Sequence, residues 1–403
     1  MDATETLSSQ RLRALPTYLF HALDEAKARR RAAGGEVIDL SVGDPDAPTP
    51  EYVVAAMVRA VRDEANHRYP NPKGSAKFRA ACARFLDRRY GVTADPDRHI
   101  IACIGSKEGI AHLPLAIVDP GRSVLRPSLA YPVYHAGAIL AGADPIAMPM
   151  RPASGWTPIW EELPAADLER AALMWVNFPN NPTASTVGVG FYRQAYEFAS
   201  RHGIVLASDQ AYSELYFEGD PPPSLWQADG LDLERSHAIE FHSLSKAFCM
   251  AGWRIGFAVG HESLVSALGK LKGPIDMGPF NAIQEAAVAA LENYDHPDIA
   301  AVRDRYRERR DAVLPPLRAL GFQADTPAAG MFVWARCPEV DGVPLDSWQV
   351  ARDAMEQADV CLTPGAGFGE DGRHYVRLAL TVDRERIVKA MERLGEVRWG
   401  ASV

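Results

Sequence analysis

The tetrapeptide S-L-S-K, Ser243 to Lys246, stands between an apolar run ending at Phe241 and a second one from Ile255 to Val259. Leu244, Ala247, Phe248, Cys249 and Met250 crowd the lysine in sequence. An ammonium in such company either snorkels its head to water or loses water. In the second case its pKa falls and its amine becomes a nucleophile toward carbonyls. Arg254 follows two turns later. Four other stretches place reactive groups just after or within apolar runs. Gly105 to Gly109, G-S-K-E-G, opens a helical pattern, where backbone N–H groups and a positive helix end suit a phosphate and Ser106 adds a hydroxyl. A plain helix start reads the same way, and neither the Walker pattern nor G-x-G-x-x-G is present. Asn177 to Ala184, N-F-P-N-N-P-T-A, is turn by composition, and its Asn181 could aim an amide at a cofactor oxygen. Asp209, in S-D-Q-A-Y, follows an apolar strand, where a carboxylate is either exposed or paired with a cation. Arg377 alternates within the last apolar strand; a guanidinium buried there needs an anion such as a substrate carboxylate.

A nucleophilic lysine, a carboxylate, two phosphate-type sites and an arginine for a carboxylate are what pyridoxal phosphate chemistry asks for. The lysine condenses with the cofactor aldehyde, and the carboxylate keeps the pyridine nitrogen protonated so that the ring draws electrons. A helix terminus and an arginine suit the phosphate. Tyr69, in N-H-R-Y-P-N-P-K-G, is an aromatic with little local packing reason to be where it is.

These groups must be carried by a framework, and the pattern predicts one. Short runs rich in Val, Ile, Leu and Met alternate with helical stretches between residues 99 and 260. That alternation predicts a mostly parallel sheet covered on both faces, with ligands at the carboxyl ends of its strands. Beyond residue 261 come strands at 329–336 and 374–380 with helices between and after them, the pattern of a smaller α+β unit. The expected division is an N-terminal arm and segment packing with the small unit (1–45), a large cofactor-binding α/β unit (46–290) and a small C-terminal unit (291–403). Helices are expected from Tyr18 to Ala32, from Glu51 to Arg62 with Thr49 as a cap, from Ser75 to Tyr90 ending at Gly91, and from Glu262 to Leu271. A loop, K-G-P-I-D-M-G-P, is expected after the last of these.

The chain has 403 residues, 47% hydrophobic and 24% charged, enough for a large core and more than one structural unit. Its formal net charge of -9 gives no support for a nucleic-acid partner. Five dispersed cysteines show no metal-ligand spacing, so no metal site is expected, and they suit a reducing compartment. No apolar run reaches the roughly 20 residues of a membrane span. The reading is a cytoplasmic protein with no membrane partner.

The S-x-S-K segment with its later arginine, the N-P-T segment, D-x-A-Y and the late R-L-A arginine occur in one order. In that order the chain resembles the fold-type-I aminotransferases of class I and II over essentially its whole length. Within them it is most similar to LL-diaminopimelate aminotransferases, through RLRALPTYLF, VIDLSVGDPDAPTP, NHRYP, IGSKEGIAH, YPVYHAGAILAGADP and EFHSLSKAFCMAGWRIGFAVG. The resemblance implies a transfer of the amino group of an L-amino acid to a 2-oxo acid, 2-oxoglutarate above all. Lys246 would hold the cofactor and move the substrate proton, and Asp209 would pair with the pyridine nitrogen. Tyr212 and Asn181 would bond the 3′ oxygen, and Tyr131 would stack on the ring. Ser106, Lys107, Ser243, Ser245 and Arg254 would surround the phosphate. Tyr69 would reach the phosphate of a neighbouring subunit in a homodimer. Arg377, with Asn181 and the Gly43 backbone, would take the substrate carboxylate.

Two departures bear on the substrate. L-K-G-P-I-D-M-G stands where diaminopimelate-type enzymes read closer to V-K-S-N-I-D-S-G, so Pro274 and Met277 replace polar groups. Proline cannot donate as an asparagine amide does, which leaves room for a more apolar or shorter donor. Ala184 stands where glycine is usual, which matters if that position needs a positive φ. Alternatives on the same residues are an aspartate-, alanine-, aromatic- or succinyldiaminopimelate-type aminotransferase, a carbon–sulfur β-lyase, and a binding protein that has kept the fold.

Overall fold

The computed structural model describes residues 7–16 and 19–400. Helices Gln10–Arg13 and Leu19–Ala32 precede strand β1 (Ile38–Asp39), and helices Glu51–Val61 and Ala76–Tyr90 follow it. The large sheet then takes seven strands: β2 (Ile100–Cys103), β3 (Ser123–Pro127), β4 (Asp144–Met148), β5 (Ala171–Asn177), β6 (Val205–Gln210), β7 (Ala238–Ser243) and β8 (Gly256–Gly260). Their spatial order is β2-β8-β7-β6-β5-β3-β4. Neighbours from β7 to β4 pair in parallel, and β8 alone runs against the strands beside it. The mostly parallel sheet is therefore present. Its central strands are buried along nearly their whole length, which is why they read as unbroken apolar runs rather than as alternation.

The exception at β8 has a simple cause. A parallel crossover needs a dozen or more residues, usually spent on a helix, whereas the link from Ser243 to Gly256 is taken up by turns. The chain reverses instead, so Lys246 and Arg254 both stay at the carboxyl end of β7.

The C-terminal part holds β9 (Gln323–Ala324), β10 (Phe332–Arg336), the hairpin β11 (Glu339–Val340) and β12 (Val343–Pro344), then β13 (Val360–Cys361), β14 (Thr363–Pro364) and β15 (Tyr375–Ala379). Four of them form an antiparallel sheet in the order β14-β15-β10-β9. Helices Pro297–Ala319, Ser347–Ala358 and Arg384–Leu394 accompany it, giving a smaller α+β unit beside the larger sheet. β1 pairs in parallel with β13, Ile38 opposite Val360. Helix Leu19–Ala32 ties to the same region through Arg30 Nε and Asp359 Oδ1 at 2.7 Å. The segment between the helix and the first sheet thus belongs in space with residues more than 300 positions later.

Several local expectations are met. Ser75 caps its helix by accepting from Phe78 N at 3.2 Å, and Gly91 closes it with a φ of 68°. Others are corrected. Thr49 is not a cap; its hydroxyl donates to the Cys249 carbonyl at 2.7 Å, and Pro50 occupies the cap position. The helix expected to stop at Leu271 runs from Glu262 to Ile275, with Pro274 in its last turn. Within the apolar run Val37–Val42 only Ile38–Asp39 forms a strand. The short helix Ala165–Arg170 and the β11–β12 hairpin carry no strong pattern and were not expected. Tyr18, the expected start of the first long helix, lies outside the described residues. Among the described residues, no helix is long and apolar enough to cross a membrane.

Candidate active site

The carboxyl ends of β5, β6 and β7 open into a cavity of about 370 Å³. Gly43, Ser106, Lys107, Tyr131, Asn181, Asp209, Tyr212, Ser243, Ser245, Lys246, Arg254 and Arg377 all line it, although they come from segments spread over more than 330 residues. Every predicted site residue is therefore brought together except Tyr69. That tyrosine is 88% exposed on the loop after residues 64–67 and does not line this cavity.

Lys246 projects into the cavity from the turn after β7 and donates to the Gly43 carbonyl at 2.6 Å. Burial depresses its ammonium to about 8, and Arg377 and Arg254 push the same way against the pull of Asp44. Of the two readings open in the sequence, the desolvated lysine is the observed one.

Asp209, at the far wall, is buried as well, which excludes the exposed reading. Its partners are not a cation. Oδ2 accepts from the Tyr134 hydroxyl at 2.7 Å and Oδ1 from Ala211 N at 3.1 Å. Burial pushes its carboxyl up to about 6, with the Tyr134 hydrogen bond acting in the opposite sense. Among the described residues a neutral phenol and a backbone N–H bond the carboxylate directly, and Lys246 and His242 favour its charge from farther off.

Helix Ser106–Ile117 starts beside β8, and the N–H groups of its first turn lack intrahelical acceptors. Gly105 precedes it with a φ of 70°, and a Cβ there would lie 2.4 Å from the Arg254 guanidinium. At Gly256 a Cβ would come within 2.9 Å of Ser106 N. The backbone is thus stripped to glycine where helix start, β8 and arginine converge. Arg254 stays open to solvent and donates to the Ala251 carbonyl at 2.8 Å. Lys107 Nζ lies 5.3 Å from the Tyr131 ring centre, and Ser243 Oγ accepts from Ser245 N at 3.2 Å.

Arg377 is 1% exposed. It donates to Asn181 Oδ1 at 2.8 Å and to the Ser41 carbonyl at 2.5 Å, and its guanidinium carbon lies 4.2 Å from the Phe332 ring centre. Aromatic packing and two oxygens fix the plane of the group before any substrate arrives. Asn181 also contacts the Tyr212 hydroxyl at 3.4 Å, so one amide joins two regions of the cavity.

Two contributors escaped the sequence reading. Tyr134 lay in the Y-P-V-Y segment, but only the stacking role of Tyr131 was drawn from it. Asn177 was read as part of a turn. Its side chain donates to the Asp209 carbonyl at 2.9 Å and accepts from Asn181 N at 3.0 Å, locking β5 to β6 beneath the cavity. Ala184 sits at a φ of 57°, so the position does take the conformation for which glycine is the unstrained choice.

Behind the helix start, Glu108, His112 and Asp276 offer ligand atoms within 4.8 Å of one another, the spacing of a metal set. A cation is already built in. Lys272 Nζ lies 2.7 Å from Glu108 Oε2 and 3.1 Å from Asp276 Oδ1, and His112 Nδ1 lies 2.6 Å from Glu108 Oε1. Glu108 Oε2 also accepts from Ile104 N at 2.8 Å. The cluster therefore pins the start of helix Ser106–Ile117 to the end of helix Glu262–Ile275.

The cavity wall fits pyridoxal 5′-phosphate on chemical grounds. It offers a helix start with Lys107 and Arg254 for a phosphate, a buried carboxylate for a pyridine nitrogen, and a depressed lysine for an aldehyde.

Comparison with known proteins points the same way. Residues 35–394 match the family described as aminotransferase class I and II. The LL-diaminopimelate aminotransferase of Aquifex aeolicus is 42% identical over 390 residues, covering 97% of this chain and 99% of that protein. The corresponding enzyme of Moorella thermoacetica is 41% identical over 389 residues, 96% of this chain and 98% of its own. Among solved structures, substrate-bound BacF from Bacillus subtilis superposes with a TM-score of 0.92 at 31% identity, covering 98% of this chain and 100% of that one. A probable N-succinyldiaminopimelate aminotransferase from Thermus thermophilus gives 0.87 at 33% identity, over 94% and 99% of the two chains.

Proposed function

Because the chain belongs to the class I and II aminotransferases, pyridoxal-phosphate enzymes that move an amino group from an amino acid to a 2-oxo acid, we propose that its donor is an L-amino acid of the diaminopimelate type and its acceptor 2-oxoglutarate. The donor class rests on relatives of that activity at 41–42% identity over nearly the full chain. The observation that carries the site assignment is the buried Arg377, its guanidinium held flat by Asn181 and Ser41 in the cavity that Lys246 also lines.

Bound pyridoxal phosphate supplies an aldehyde for the donor amine and a ring that spreads the charge left at the α-carbon. The chain's residues do the rest. The first-turn N–H groups of helix Ser106–Ile117, with Ser106, Lys107, Ser243, Ser245 and Arg254, hold the phosphate. Tyr131 would cover one ring face, Asp209 would pair with the ring nitrogen, and Tyr212 with Asn181 would bond the 3′ oxygen. Arg377 grips the donor carboxylate through two parallel N–H bonds, aided by Asn181 and the Gly43 backbone. That grip would turn the α-hydrogen toward Lys246 Nζ, which would take the proton from the α-carbon and return it to the cofactor carbon on the other side of the amine nitrogen. Burial lowers the Lys246 pKa toward the neutral range, which favours a group that must both take and give a proton.

We also propose a homodimer in which Tyr69 of each chain completes the phosphate site of the other. Tyr69, Ile275 and Phe280 are large side chains left exposed. Their segments lie together, since Asn281 Nδ2 donates to the Arg68 carbonyl at 3.1 Å and the rings of His67 and Phe280 are 6.5 Å apart.

The test is a set of donors assayed with 2-oxoglutarate: LL-diaminopimelate, aspartate, alanine and aromatic amino acids. LL-diaminopimelate is expected to give the highest kcat/KM. A higher value for any other donor would replace the proposed class, and no glutamate from any donor would overturn 2-oxoglutarate as the acceptor. In the same assay Arg377→Lys is expected to raise the donor KM roughly 10- to 100-fold, since a point charge cannot replace the two-pronged grip.

A further inference from the structure

Tyr134 is the largest contributor to the Asp209 environment that no motif announced. It is 1% exposed, and its ring stacks on Trp175 with centres 5.2 Å apart and 29° between planes. Trp175 packs in turn on Phe241, at 5.7 Å. The phenol is thereby clamped between a helix and the sheet, with its hydroxyl on Asp209 Oδ2 at 2.7 Å. We infer that Tyr134 is a positioning residue for the cofactor: it donates to Asp209 so that the carboxylate stays ionised and aimed at the ring nitrogen. This rests on the reading of Asp209 as the partner of that nitrogen.

The physical need is plain. A carboxylate taken out of water is costly unless hydrogen bonds replace its hydration. The groups that face Asp209 are Tyr134 from helix Val133–Ala141, Ala211 N and Tyr212 from the turn after β6, His242 from β7, and Lys246 beyond it. Among those favouring the ionised form, the Tyr134 bond is the largest, followed by Ala211 N, His242 and Lys246. Burial and the Asp209 charge hold the phenol itself well above its ordinary range, so it remains a neutral donor at any working pH. Without it, Asp209 would take up a proton more readily and stop holding one on the ring.

The test compares two cofactors on apo-protein near neutral pH: pyridoxal phosphate and its carbon analogue, in which C–H replaces the ring nitrogen. Tyr134→Phe is expected to weaken pyridoxal phosphate roughly 10- to 100-fold, the worth of a hydrogen bond to a charged group, and to leave the analogue within about threefold of wild type. With nitrogen-15 in the ring, its resonance is expected to move toward the unprotonated position in the variant. Equal losses for both cofactors would reduce Tyr134 to a wall of the cavity, and no loss for either would remove its role. Tyr134→Met, flexible enough to refill the space, carries the same comparison if phenylalanine prevents folding. Asp209→Asn separates the two levels of the argument. If it too fails to discriminate between the cofactors, the Asp209 reading falls; if it discriminates and Tyr134→Phe does not, only the present inference falls.

Discussion

Lys246→Ala is expected to lower kcat by roughly 10⁴-fold or more, because under the proposed mechanism it removes both the covalent anchor and the group that moves the proton. The visible absorbance of the bound cofactor should shift with it. A less obvious outcome concerns the apo-protein. The fold depresses this lysine from 10.5 to about 8, mainly by burial. Folding thus opposes the charged form, and below about pH 8 the wild-type protein carries the full cost, up to about 3 kcal/mol at ~1.4 kcal/mol per unit. The unfolded chain binds the proton more tightly, so wild-type stability climbs as pH rises from about 8 to about 10.5. Lys246→Met, which keeps an apolar stem, should therefore be more stable than wild type at neutral pH and lose that advantage in alkali. Urea unfolding of both apo-proteins across pH measures it. Equal stability at every pH would mean that the ammonium finds water in the native state.

Asp209→Asn is the second large effect, with kcat reduced roughly 10²- to 10⁴-fold as the ring nitrogen loses its charged partner. Here the sign of the linkage is reversed. Burial raises the Asp209 carboxyl from 3.8 to about 6. The native state binds the proton more tightly, so the contribution is present below about pH 4 and lost as pH rises through about 6. Above that, the ionised group costs about 3 kcal/mol relative to the unfolded chain. The asparagine variant should show a flatter stability profile between pH 4 and 6 and a more stable apo-protein at neutral pH, while binding pyridoxal phosphate less tightly. An unchanged slope would show that Asp209 does not titrate in that window. The two predictions together describe a cavity strained in its empty form by a lysine and an aspartate that the cofactor is built to satisfy, the stability–activity trade-off at single-residue scale.

Much of this site could be read from the chain because its groups sit at strand ends, in short segments that keep their order. Lys246, Asp209, Asn181 and Arg377 each follow or interrupt an apolar run, and period and composition suffice to place such positions. Tyr134 and Asn177 could not be reached that way. Their importance lies in a partner 75 or 32 positions away, across a helix–sheet or strand–strand contact that no local pattern encodes. Thr49 shows the same limit in reverse: a hydroxyl that reads as a helix cap falls one residue short of the cap position and donates to a carbonyl 200 residues later. The extension of helix Glu262–Ile275 through Gly273 and Pro274 belongs here too. Intrinsic preference says stop, but Asp276 N and Met277 N return to the Lys272 carbonyl, and the Lys272 ammonium ties the last turn to Glu108 and Asp276. Tertiary partners override the local signal.

That ammonium also constrains how the chain can change over generations. Lys272 is wholly buried and balances two carboxylates at once. Replacing it alone strands both charges, a loss on the order of 3–5 kcal/mol and a large share of a typical protein's margin. Replacing Glu108 or Asp276 alone leaves the lysine short of a partner. An apolar cluster of the same volume could serve as well or better, yet every one-step route to it crosses a destabilised intermediate. Pro274, between Lys272 and Asp276, and Met277, just after them, are therefore free to vary while the charged residues beside them are not: a lineage can change this helix end one position at a time, but only beside fixed posts.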